Sequence, residues 1–399
     1  MKAFFTVYIK GEDIDSSILD VKEPLAEAFD PYLGPYIQEE RKELDILMDK
    51  QGNEEMRQMN SQDVASVNLY QAQPIFESSR KMFEHIKASL KRCNSFSSGV
   101  TYLALSREFR VCLHNYALSL KFRHPSPVSA KAGERPVYNL SKYMEVQLCR
   151  LIKTGEYCID TIPQLELTMQ EHIDSKYTDQ ISFTEEIDAF HAMITETIVF
   201  INVGIMEKIY PLLGKQGMRS IDWSKDQNVG DESKYMKNIF LILNDVIPRI
   251  RLNLSTIYFQ QFCMRLSATL AEILLENIWK LKHISQTGSG QLLLDLNGLE
   301  NYLNIMPQRY LPTSEHDKYP ISKVYTNSVS TNISKIKVIL KLVCIEDDQF
   351  EEMFTLLWPE GSKKDHDEIM ELRSRAGFIP HAVKVRSANM FKYIYIYIS

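Results

Sequence analysis

Between Asn228 and Leu296 the chain carries the pattern that most restricts its fold. Met236, Ile239, Phe240, Leu243, Val246, Ile247, Ile250, Leu254 and Ile257 recur at steps of three and four. That is the stripe of a helix buried along one side. A turn, Asn228-Val229-Gly230-Asp231, precedes the stripe, and Gly288-Ser289-Gly290 follows it. The pattern predicts one long helix from Asp231 to His283, kinked at Pro248, where the ring removes a backbone donor and presses on the preceding turn. At 1.5 Å per residue such a helix would reach roughly 80 Å. Helical bundles stacked into a rod accommodate that length; a compact single domain does not.

The rest of the chain repeats this character. Helical stripes are expected over residues 24–50, 75–93, 100–120, 143–167, 183–210, 291–305, 332–344, 349–357 and 365–375. Residues 51–72, polar and rich in Gln and Asn, read as a loop, and Gly288-Ser289-Gly290 reads as a helix stop. A basic, Pro-containing connector over 122–136 is the best candidate boundary. The expected architecture is all-α, an elongated rod of stacked antiparallel helical bundles. An N-terminal bundle (1–125), a linker (126–140), a central bundle (141–285) and a C-terminal bundle (286–385) would follow one another. The alternating Tyr-Ile tail within 386–399 is assigned no function.

Composition narrows the function classes. Of 399 residues 25% are charged and the formal net charge is −6, so no basic excess points to nucleic acid. Only 15 Gly and 15 Pro argue against a fold of short strands and turns. Six scattered cysteines, at 93, 112, 149, 158, 263 and 344, read as buried free thiols in a reducing compartment. The apolar run at the N-terminus is too short for a secretory signal, and no window holds ~18 uninterrupted apolar residues. A soluble protein facing the cytosol is expected. The glycosylation-like triplets at Asn139, Asn253 and Asn332 are then coincidental.

Chemical motifs are sparse. Asp347, Asp348 and Glu351 have the spacing with which all-helical terpenoid synthases hold magnesium, and oxygen ligands of this kind suit that ion. Such a site needs a second motif on a facing helix, and Asn244-Asp245 has Pro248 where a hydroxyl ligand belongs. The acidic residues equally suit a helix N-terminus. Gly214-Lys215-Gln216-Gly217 and Gly288-Ser289-Gly290 lack phosphate-loop spacing, no HExxH pairs the histidines, and no serine sits in a GxSxG elbow. No catalytic residue, cofactor or metal is expected. Lys87–Arg92 and Arg123–Lys131 are modest positive patches that read as solvated surface.

Several short motifs together resemble a known family. They are Asn228–Tyr235, Ile247-Pro248 with Arg251–Leu254, Phe259 with Gln261-Phe262-Cys263, Gln291–Asp295, Ser334–Lys341 and Met370–Arg375. Upstream, Ala28–Leu33 and Gly155–Cys158 fit the same pattern. This set is similar to the vacuolar protein sorting-associated protein 53 family, over about residues 24–378 and in the family's C-terminal half. The resemblance implies a non-enzymatic subunit of the Golgi-associated retrograde protein complex and its endosomal counterpart. Such complexes tether vesicles in endosome-to-trans-Golgi retrograde transport and recycling. Implied partners are sister subunits, SNAREs and small GTPases, with peripheral membrane association and no small-molecule substrate. The family fold is a rod of stacked helical bundles. Gln291 and Asp295, polar beside Leu292-Leu293-Leu294, and Lys335, Lys337 and Lys341 on the neighbouring matched helix form the candidate interaction surface.

Overall fold

The computed structural model describes residues 32–60, 69, 71–127, 137–225, 229–311, 313–345 and 347–373. Of these, 78% are helical and none lies in a strand. Expectations for residues 24–31, for Ser374-Arg375 and for the 386–399 tail fall outside this set. The helices are α1 (Gly34–Asn60), α2 (Glu77–Asn94), α3 (Val100–Lys121), α4 (Lys142–His172), α5 (Thr184–Leu213), α6 (Lys234–Asn253), α7 (Thr256–Trp279), α8 (Gln286–Ile305), α9 (Lys323–Cys344), α10 (Phe350–Leu357) and α11 (Lys363–Arg373). The helices group into two compact units, each drawn from separated stretches of sequence.

In the first unit, comprising described residues up to 60, 75–123 and 154–193, α1, α2 and α3 all pack on one another. Phe76, Met82, Phe83, Ile86, Leu105, Phe109, Leu113 and Leu120 fill its core. A ladder of cross-contacts shows that α1 and α2 run antiparallel: Tyr36 meets Phe96, Glu40 pairs with Arg92, Gln51 accepts from Lys81, and Glu55 accepts from Ser78. Here α1 continues through residues 51–60, where the sequence predicted a loop. Polarity misled the prediction because Gln51 and Glu55 are buried against donors on α2.

The second unit comprises the described residues within 62–74, 124–153 and 194–373. Within it α9 packs on α7, α8, α10 and α11, and α6 packs on α7. The predicted 53-residue helix is in fact two, α6 and α7, and the break falls at Leu254 and Ser255 rather than at Pro248. Both residues are extended (φ −111°, ψ 147°; φ −63°, ψ 162°), whereas Pro248 sits inside α6. Arg251 secures the corner by donating to Leu254 O (3.1 Å) and Thr256 Oγ1 (3.2 Å). The stripe hides the break because its spacing runs on to Ile257, which is 66% exposed; Tyr258, Phe259 and Phe262 are the first buried residues of α7.

Gly288-Ser289-Gly290 does not stop a helix either. It lies in the first turns of α8, whose N-cap Ser285 accepts from Gly288 N at 3.0 Å. A Cβ on Gly288 would stand 2.5 Å from the carbonyl oxygen of Trp223, so close backbone approach selects glycine. Residues 175–220, which contain α5, are long and apolar enough to cross a membrane, but 67% of the most apolar window is buried within the protein. Ile194, Ile198, Ile201, Ile205 and Ile209 are core residues of α5, so the helix has an internal reason to be apolar.

Candidate interaction surfaces

Gln291 and Asp295 lie one turn apart on α8 and point into the second unit, 5% and 0% exposed. This corrects their placement on a surface. Asp295 Oδ1 accepts from Ser233 N at 2.7 Å, and Gln291 Nε2 donates to Asp231 O at 2.7 Å and to Asp295 Oδ1 at 3.3 Å. The two side chains thus satisfy free backbone groups at the start of α6. Burial pushes the Asp295 carboxyl above its usual range, and the Ser233, Tyr235 and Gln291 donors pull it back. Polar residues beside a leucine run look like an exposed rim in sequence. Here they are an internal clasp, because the turn at 229–233 folds onto α8.

The three lysines of α9 divide. Lys335 and Lys341 are exposed, and Lys335 Nζ lies 5.8 Å from the centre of the Trp358 ring. Lys337 is half-buried and pairs with Glu300 of α8 at 2.5 Å. Its charge is spent inside the unit, leaving Lys335 and Lys341 to face solvent. At the other end of α9, Arg373 donates to Leu342 O at 2.5 Å and stacks over Phe350, which ties α11 to the helix terminus.

Among the described residues the acidic motif builds no two-sided metal site. Glu351 Oε1 bonds His366 Nε2 at 2.8 Å, and Asp348 is exposed. Asp245, the candidate facing ligand, is engaged by Lys142 (2.8 Å) and Arg249 (2.9 Å). Those cations hold its carboxyl below the usual range, chiefly through the Arg249 hydrogen bond. Glu40, Glu43 and His85 also converge between α1 and α2. Both Glu40 oxygens, however, already accept from Arg92 (2.8 and 2.5 Å), so a cation would compete with a guanidinium.

Sequence reasoning missed two buried ion pairs. Arg249 is fully buried and donates to Glu145 at 2.8 Å; Glu145 also receives Lys208. In the first unit Arg123 donates to Glu55 at 2.7 Å and lies over the Phe76 ring. The signal for Arg249 was present, a lone charge between Ile247 and Ile250 in an apolar stripe. Arg123, in a connector that reads as solvated, gave none. Another omission is a shallow cleft of about 320 Å³ in the first unit, lined by Arg107, Arg110, Val111, His114, Asn115, Glu185 and Glu186.

Residues 290–373 match the family described as Vacuolar protein sorting-associated protein 53 C-terminus. The chain is 31% identical over 353 residues to Vacuolar protein sorting-associated protein 53 A of Arabidopsis thaliana, covering 88% of this chain and 41% of that protein. Over most of its length the chain is thus similar to the vacuolar protein sorting-associated protein 53 family. A Caenorhabditis elegans homologue of protein 53 is 26% identical over 318 residues, 75% of this chain and 38% of its own length. The chain therefore spans about two-fifths of the protein 53 relatives it matches. Among solved structures, the C-terminal domain of the exocyst subunit Sec6p superposes with a TM-score of 0.59 at 9% identity, over 97% of this chain and 92% of that one. M-Sec follows at 0.51 and 13% identity, over 88% of this chain and 54% of its own. At such identities these two likenesses show a shared helical fold. The family's matched region, 290–373, contains the clasp residues Gln291 and Asp295, all three lysines and Arg373.

Proposed function

We propose that this chain is part of a non-enzymatic subunit of a vesicle-tethering complex acting in endosome-to-trans-Golgi retrograde transport and endocytic recycling. The observation that carries the proposal is the similarity to protein 53 over 353 residues, joined to a fold shared with an exocyst subunit domain. The chemistry of the described residues agrees with it. Conspicuous polar residues are consumed in structural bonds: Asp245 by two cations, Glu351 by His366, and Gln291 and Asp295 by the α6 entry. A tether works through reach and surface rather than a reactive pocket. Sister subunits of the Golgi-associated retrograde complex and its endosomal counterpart, SNAREs and small GTPases are its partners, on the cytoplasmic face of trans-Golgi and endosomal membranes. Lys335 and Lys341 are the remaining candidate contacts from the matched region.

Affinity purification of the full-length protein from cells tests this reading. Recovery of sister tether subunits and SNAREs is the expected result, and recovery of neither would sink it. Reversing Lys335 and Lys341 to Glu should weaken vesicle capture while leaving the melting temperature in place; intact capture removes the two lysines from the surface.

A further inference from the structure

The basic connector after α3 carries a Ser-Pro step that neither the fold nor the tethering reading uses. Arg123 ends a stretch of the first unit, and His124-Pro125-Ser126-Pro127 follow it. Ser126-Pro127 is the one Ser-Pro or Thr-Pro pair in the 399 residues. Residues 125–127 are non-helical, and Ser126 and Pro127 are exposed. A proline disfavours helical backbone in the residue before it, so Pro127 biases Ser126 toward an extended form, and the ring of Pro125 fixes its own φ. The Ser126 hydroxyl has no hydrogen-bond partner among the described residues. Hydroxyls at other turns are engaged: Ser95 Oγ donates to Arg92 O at 2.7 Å, and Ser220 Oγ to Gly217 O at 2.6 Å. An exposed, extended serine with a free hydroxyl is the form in which a protein kinase takes its substrate.

We infer that Ser126 is a phosphorylation site for a proline-directed protein kinase. In the transfer, the bond between the γ-phosphorus of ATP and its bridging oxygen breaks and a bond from Ser126 Oγ to that phosphorus forms. ADP leaves, and the hydroxyl proton passes to the catalytic aspartate of the kinase. The neighbouring residues select the kinase class. A proline-directed kinase reads the residue after the serine, and Pro127 is exposed there. A kinase that reads an arginine three residues before the serine would need Arg123, which is 5% exposed and held by Glu55 at 2.7 Å. The same objection excludes Ser95, because Arg92 is bonded to both carboxylate oxygens of Glu40. Phosphorylation adds about two negative charges to the connector just beyond Arg123.

The decisive experiment incubates the purified full-length protein with ATP and either a cyclin-dependent kinase or a kinase selective for arginine three residues before its serine. Mass spectrometry then maps the phosphate. The first kinase should modify Ser126 and the second should leave it bare. Pro127→Ala should lower incorporation at Ser126 by about tenfold or more, and Ser126→Ala should remove it, both at unchanged melting temperature. Protein recovered from cells should carry the same phosphopeptide, lost on phosphatase treatment. Absence of phosphate at Ser126 from either sample, equal modification by the two kinases, or indifference to Pro127→Ala would overturn the assignment. Each of these outcomes leaves the tethering function standing.

Discussion

Each unit buries one arginine against one glutamate, and the two pairs are built differently. In the first unit Glu55 is closed in: Arg123 supplies its charge, Ser78 donates through both N and Oγ (2.8 Å each), and Phe76 roofs the guanidinium at 4.8 Å. In the second unit Glu145 shares Arg249 with Asp245, and Lys208 and Lys142 extend the set toward solvent. Three cations there face two carboxylates, so no single residue carries the whole compensation. Taking an ion from water costs several kcal/mol, and losing a sole partner exposes that cost in full. A network with a spare cation at its solvent edge spreads the risk. Redundancy, not burial, should therefore set the sensitivity of each unit.

The largest effect follows for Arg123→Met, which strips Glu55 of the cation paired with it among the described residues. It should cost about 3–5 kcal/mol in urea unfolding at neutral pH. Arg249→Met should cost less, about 2 kcal/mol, because Lys208 still answers Glu145. Equal losses, or a greater one at Arg249, would break the comparison.

Asp295 supplies a third case, a buried carboxylate whose described partners are uncharged. Burial raises its folded-state value above the 3.8 of the unfolded chain. The folded protein thus keeps this proton to higher pH, and the stability it contributes below the unfolded value is lost as pH rises through the folded one. Relative to Asp295→Asn, the native protein should lose stability as pH rises from the unfolded value to neutrality, read by urea unfolding across that range. A stability difference that stays flat with pH would show that the Ser233 and Gln291 donors already cancel the burial.

The smallest effect belongs to the surface limit. Glu351 raises His366 above 6.5, chiefly through their hydrogen bond. Stability from that pair is fully present below the unfolded value and fades as pH climbs through the folded one. Because Glu351 is 78% exposed, the contribution should be below about 0.5 kcal/mol after solvent screening. His366→Gln should therefore flatten the melting-temperature difference between about pH 6 and pH 8. A large shift there would mean that the pair anchors α10 to α11 far more tightly than its exposure allows.

Much of the fold was legible from periodicity, since α2, α3, α4, α5 and α10 start within about two residues of their apolar stripes. The failures share a cause. Extension of α1 to Asn60, the corner at Leu254 and the glycines inside α8 all depend on a partner distant in sequence: Ser78 for Glu55, Gln73 N for Asn253 at 2.9 Å, and the Trp223 carbonyl for Gly288. The candidate surface fared unevenly for the same reason. A lysine stripe says which residues share a face, but only the position of Glu300 shows that Lys337 is spent and Lys335 is not.

By itself, then, the sequence determined the helical class, the order of helices and the likeness to the protein 53 family. Those properties rest on local spacing and on short motifs that any stretch carries with it. Tertiary structure alone decided where the long stripe bends, which polar residues are clasps and which are surface, and which buried glutamate has a single cation. Each of those outcomes depends on long-range juxtaposition: a hydrogen bond or an ion pair acts within a few ångströms, while its two ends lie up to 104 and even 180 residues apart.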